Sequence, residues 1–110
     1  MVLEIMINMN KKEIVLVAKK VVFYALKDEE AFLSWLKSIK AVKQLDYYGS
    51  ELHIYVKDKQ ISEQDLSDLL ALFFRYKIKM DQLKIFLNTE NKSWFFDNPK
   101  MYWHKKVFGL

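Results

Sequence analysis

The chain has 110 residues, 52% apolar and 15% aromatic, enough to build one buried core and too many for a disordered chain. It has no cysteine, which excludes a disulfide framework, a thiolate metal site and a cysteine nucleophile together. The formal charge of +4 divides into +3 over residues 1–27, −4 over 28–73 and +5 over 74–110, a split that steers partners without dictating a fold.

Taken in order, residues 1–10 are apolar but lack a basic leader region, and Glu4 interrupts them, so no signal peptide is expected. Residues 2–7 and 13–26 are rich in Val, Ile and aromatics, the composition of strands. Val21–Leu26 (VVFYAL) is expected to be a strand apolar on both faces, hence buried. Glu13–Ala18 fits a second strand or a helix begun at Asn10, and pattern does not separate the two. Asp28 is the expected cap of a helix with Glu29 and Glu30 in its first turn and a core stripe of Phe32, Trp35, Leu36 and Ile39.

Val42–Lys57 reads as a β-hairpin. Gly49-Ser50 suits a two-residue turn with glycine first, the type II′ requirement. That register sets Tyr47 opposite Leu52 and Leu45 opposite Ile54 on a greasy face shared with Val56. The other face pairs Tyr48 with Glu51, Asp46 with His53 and Gln44 with Tyr55.

Ile61–Leu87 is the most strongly patterned stretch, and it opens with a helix over Ile61–Tyr76. Leu66, Leu69, Leu70 and Phe73 stand at i, i+3, i+4 and i+7, one stripe along a helix. Ser62 is its N-cap, Ile61 and Leu66 have the spacing of a hydrophobic staple, and the acids and bases fall at the ends the helix dipole favours. A third helix is expected from about Asp81, carrying Leu83, Phe86 and Leu87, with a break at Asn88–Asn91. A short last helix is expected between Asn98-Pro99 and Gly109, by the preference for Pro at the first position and Gly past the end. The whole, residues 1–110, reads as a single α+β domain. N-terminal strands, a helix, a β-hairpin and two or three C-terminal helices pack those helices on one face of a small, mainly antiparallel sheet.

Chemistry is sparsely signalled. Asp46 and His53 form the base–orienter half of an acid–base site, but no nucleophile accompanies them, since Ser50 is in the turn and no GxSxG motif exists. The chain is therefore expected not to be an enzyme. His53 and His104 lack the spacing of metal ligands, and two glycines cannot build a phosphate loop; no metal and no cofactor are expected. No apolar run is long enough to span a membrane, so the protein is expected to be cytoplasmic with no membrane partner.

Two binding readings remain. The hairpin's polar face collects Asp46, Tyr48, Glu51, His53 and Tyr55, the mix of flat aromatics and charges enriched at protein interfaces. This favours a non-enzymatic, cytoplasmic immunity or inhibitor protein that neutralises a toxin by occlusion, helped by the acidic middle of the chain. The alternative is a nucleic-acid binder using Arg75, Lys77, Lys79, Lys84, Lys105 and Lys106 with the aromatic tail Trp94, Phe95, Phe96, Tyr102 and Trp103. Against it, Arg75 is the sole arginine among eighteen basic residues, and the tail aromatics have the spacing of core anchors. A helix-turn-helix over Leu66–Leu87 would offer only Gln82, Lys84 and Asn88 to bases. Self-association through a sheet edge or an aromatic helix face is a further expectation.

The segments DEEAFLSWLKSI, ISEQDLSDLLALFFRYKIKMDQLKIFL and NPKMYWHKKVFG resemble a group of small bacterial proteins of about this length that carry no assigned function. The likeness runs over roughly residues 20–109. It implies a bacterial, cytoplasmic, free-standing domain and brings no site residues with it.

Overall fold

The computed structural model describes residues 13–110; the strand expected over residues 2–7 lies outside them. Strand β1 (Ile14–Lys19) is followed by helix α1 (Leu26–Ser38) and the hairpin of β2 (Val42–Tyr48) and β3 (Glu51–Val56). Helix α2 (Glu63–Arg75), a 3-10 segment (Asp81–Phe86), and the short helices α3 (Lys92–Phe95) and α4 (His104–Phe108) complete the chain. The sheet is antiparallel in the order β1-β3-β2. Strands β1 and β2 therefore run parallel with β3 between them, a split β-α-β arrangement. The domain is α+β, with its helices on one face of the sheet.

The hairpin takes the expected register from its turn as far as Gln44, with Tyr48 opposite Glu51, Asp46 opposite His53 and Gln44 opposite Tyr55. Gly49 has φ 63°, the sign that a first-position turn glycine supplies. The ladder slips by one residue between Val42 and Gln44, so Lys43 sits at a bulge. Alternation does the rest: Ile14, Leu16 and Ala18 on β1 and Leu52, Ile54 and Val56 on β3 are buried, while their neighbours are not.

Helix α2 organises the core. The Ser62 hydroxyl accepts the Asp65 N–H at 3.1 Å, the expected cap, and Leu66, Leu69, Leu70 and Phe73 are fully buried. Asp65 is itself buried and accepts the Ala41 N–H at 3.0 Å, fastening the first turn of α2 to the chain entering β2. At the other end, the Ile78 N–H reaches the Phe73 carbonyl (2.9 Å) and the Lys77 N–H the Phe74 carbonyl (3.4 Å). This is a Schellman closure. Its left-handed position, φ 56°, is held by Lys77, where glycine would avoid a strain of about 1–2 kcal/mol.

Three expectations are corrected. Val21–Leu26 is not a strand: Lys20 turns out of the sheet with φ 50°, its N–H bonds the Ser50 carbonyl at 3.2 Å, and the chain runs to α1 without strand pairing. Val21 and Phe23 pack on the core, but Val22, Tyr24 and Leu26 face water, Tyr24 at 89%. Strand composition reports a fit to a pleated surface; it does not supply a neighbour to pair with. Second, α1 begins at Leu26 behind an extended Ala25. Asp28 serves from inside the first turn, accepting the Tyr24 N–H and the Tyr76 hydroxyl, each at 3.1 Å. Third, Asn98 and Pro99 open a series of turns, and α4 starts only at His104, ending at Gly109 with φ 71° as expected. Of the expected stripe, Phe32 and Leu36 on α1 and Ile39 at its C-cap are buried, while Trp35 is only partly buried against the core.

The 3-10 segment is fixed to the edge of β1 by Gln82. Its side-chain oxygen accepts the Val17 N–H at 2.8 Å, and its side-chain NH2 donates to the Val17 carbonyl at 2.9 Å. The amide thus stands where another strand would pair. Together with the bulge at Lys43, this blunts both edges of the sheet, which weighs against self-association by edge pairing. The expected break after Phe86 is a reciprocal pair: Asn88 Oδ1 accepts the Asn91 N–H (3.0 Å), and Asn91 Oδ1 accepts the Asn88 N–H (2.9 Å).

Most of the aromatic tail packs into the core, with Tyr102 left 44% exposed. Phe95 and Trp103 are buried, Trp94 meets Trp103 edge-on at 5.9 Å, and Phe108 meets Phe95 and Phe96 edge-on at 5.0 and 4.9 Å. The Trp103 indole donates to the Phe95 carbonyl at 3.1 Å. No helix among the described residues is long and apolar enough to cross a membrane.

Candidate functional site

Among the described residues, no element covers the sheet face opposite the helices. Antiparallel pairing lays Asp46, Tyr48, Glu51, His53 and Tyr55 on that face together, as the register requires. The Tyr48 and His53 rings lie 4.5 Å apart and tilted. Tyr55 stands beside Tyr48, whose phenol is the main reason the Tyr55 hydroxyl titrates above its ordinary range; burial and the carboxylates of Asp46 and Glu13 add to it. These rings form a short aromatic strip across both hairpin strands, flanked by carboxylates.

The Asp46–His53 dyad is not made. The two residues are opposite one another, but His53 Nε2 turns to Glu51 Oε1 at 3.4 Å, and the Asp46 carboxylate takes the Gln44 amide. Glu51 also faces Lys19 at 3.8 Å, and Lys43 pairs with Glu13. The face is a network of partly exposed charge pairs around the rings.

The alternative set of basic residues divides. Arg75, Lys77, Lys79 and Lys106 line one cleft of about 1090 Å³, with Phe74, Ile78, Met80 and Tyr102; Lys84 and Lys105 do not line it. The end of α2 and its Schellman turn supply one wall, and the chain entering α4 supplies the other. Phe74 and Tyr102 meet edge-on at 4.8 Å, are 42% and 44% exposed, and Lys106 Nζ stands 6.0 Å from the centre of the Phe74 ring. Burial raises the Tyr102 pKa and the Arg75 charge partly opposes it. No carboxylate is among the described residues lining the cleft; Asp81 approaches its rim, 3.8 Å from Lys79.

The helix-turn-helix reading fails here. Its would-be reading helix is the 3-10 segment, Gln82 is committed to Val17, and Asn88 to Asn91. Trp94, Phe95 and Trp103 are likewise committed to packing. His104 is buried, its Nε2 2.7 Å from the Phe96 carbonyl and its Nδ1 without a hydrogen-bond partner. Nε2 lies where it can donate to that carbonyl.

Sequence reasoning missed one surface. Val22, Tyr24 and Leu26 form an exposed apolar stretch ahead of the acids Asp28, Glu29 and Glu30. Nothing in VVFYAL announced it, because all six residues are apolar; Val21 and Phe23 turn inward and the other four are exposed.

No protein-family model, curated protein or solved structure matches this chain.

Proposed function

We propose that the protein is a binding module without a reaction of its own, an immunity or inhibitor protein that acts in the cytoplasm by covering the working surface of a toxin. The observation that carries this reading is the aromatic strip of Tyr48, His53 and Tyr55 on the sheet face, flanked by Asp46 and Glu51. The hairpin ladder fixes the backbones that carry these rings, and a tyrosine has only two side-chain torsions to lose on docking. Tyrosine is among the residue types that dominate interface energetics. The flanking carboxylates would speed encounter with a basic partner and contribute less to final affinity.

The test compares capture by wild-type protein, Tyr48→Ala/Tyr55→Ala and Tyr24→Ala from nuclease-treated lysate of the source cells. One stoichiometric partner held by wild type and Tyr24→Ala, and lost by the double variant with an unchanged circular-dichroism spectrum, supports the reading. Undiminished capture by the double variant overturns it, and loss confined to Tyr24→Ala moves the interface to the Val22–Leu26 stretch.

A further inference from the structure

We infer that the cleft between the end of α2 and the entry to α4 is a second binding site, one that takes single-stranded nucleic acid without regard to sequence. Four cations converge on it from different parts of the chain: Arg75 at the end of α2, Lys77 and Lys79 in the turn that follows, and Lys106 in α4. None of the described lining residues is acidic; Asp81, at the rim 3.8 Å from Lys79, is a carboxylate that partly offsets one of the four. Such a concentration of like charge is unfavourable unless a polyanion relieves it, and phosphate is the anion that lysines bind as point charges.

The apolar part of the lining tells a strand from a free phosphate. Phe74 and Tyr102 are large rings left more than two-fifths exposed inside a basic cleft, while Phe73, Phe86, Phe95 and Trp103 are buried. Stacking a base on such a ring tolerates any sequence, because every base has a π-face. The scarcity of arginine, which weakens base readout in a groove, is no obstacle to a site that grips the backbone and stacks the bases.

Lys77 is the independent sign. It occupies the left-handed position of a Schellman turn, where glycine is the relaxed choice, and its side chain is among those lining the cleft. A residue that strains the backbone while adding charge to a cleft fits the clustering of such strain at ligand sites. The site is separate from the sheet face, so it stands or falls independently of the protein-binding reading.

The experiment is fluorescence anisotropy with a labelled single strand of about 12 nucleotides, within the span of single-strand sites, against the full chain at several salt concentrations. Four phosphate contacts predict a log–log salt slope of about −3, at roughly 0.7 per contact. Lys77→Gly is expected to raise the melting temperature by roughly 4–8 °C while lowering the slope by about 0.7. Phe74→Ala is expected to weaken binding roughly ten-fold at constant slope. Duplex of the same length should bind more weakly. Four results each overturn the inference: no binding at low salt, affinity unmoved by Lys77→Gly and Lys79→Glu in folded protein, equal affinity for duplex, or tighter binding of polyglutamate than of the strand.

Discussion

Asp65 joins the first turn of α2 to the turn that feeds β2, and removing it is the sharpest test of how this fold is fastened. Asp65 and Ala41 are 8% and 7% exposed, so the Ala41 N–H that donates to the carboxylate at 3.0 Å has no ready access to water. Asp65→Ala leaves that donor buried and unmatched, at about 1–3 kcal/mol. It also deletes a carboxylate from the positive end of the helix, about 0.3–1 kcal/mol more. A loss of about 2–3 kcal/mol is expected, roughly 10 °C in melting temperature for a domain of this size. Asp65→Asn keeps an acceptor oxygen and should lose about 1 kcal/mol or less. Urea unfolding followed by circular dichroism measures both. A loss below about 0.5 kcal/mol for Asp65→Ala, or equal losses for the two variants, would refute the reasoning.

Other variants probe other joints. Leu69→Ala, at a fully buried position, should destabilise by about 2–5 kcal/mol in the same assay. Gln82→Ala removes both bonds to the Val17 backbone; the expected loss is about 1–3 kcal/mol, with faster hydrogen exchange at the Val17 amide. Tyr76 titrates above its ordinary value of 10.0, through burial first and its hydrogen bond to Asp28 second, with Arg75 opposing. A pKa raised by folding contributes stability that is complete below the unfolded value and is lost as pH climbs through the folded one. Tyr76→Phe should therefore be less stable by about 1 kcal/mol at neutral pH and show a shallower loss of stability in alkali, read from melting temperatures across pH. Lys77→Gly should be more stable by about 1 kcal/mol in urea.

The legible parts of this chain were those in which local rules agree. In α2, cap, stripe and dipole all select one helix, and in the hairpin the turn and both strands select one register, so Ser62 and the pairs from Gln44–Tyr55 to Tyr48–Glu51 fell where expected. What failed depended on partners that sequence does not specify. VVFYAL has the composition of a strand but no edge to join, and the Asp81–Phe86 segment is held to a strand edge by a single glutamine sixty-five residues from its partner in sequence. The outer face was legible as a set of residues but not as a set of contacts, since His53 chose Glu51 over Asp46 by side-chain rotation alone. The cleft was half legible: its cations were apparent, but Phe74 hides within an apolar run, and only tertiary packing leaves it and Tyr102 exposed while burying Trp103.

The most direct measurement of the central claim is hydroxyl-radical footprinting of the protein alone and in complex with the partner it captures. The account predicts protection at Tyr48 and Tyr55, with Phe74 and Tyr102 as reactive as in the free protein. Protection at Phe74 and Tyr102 with the sheet tyrosines unchanged would contradict it.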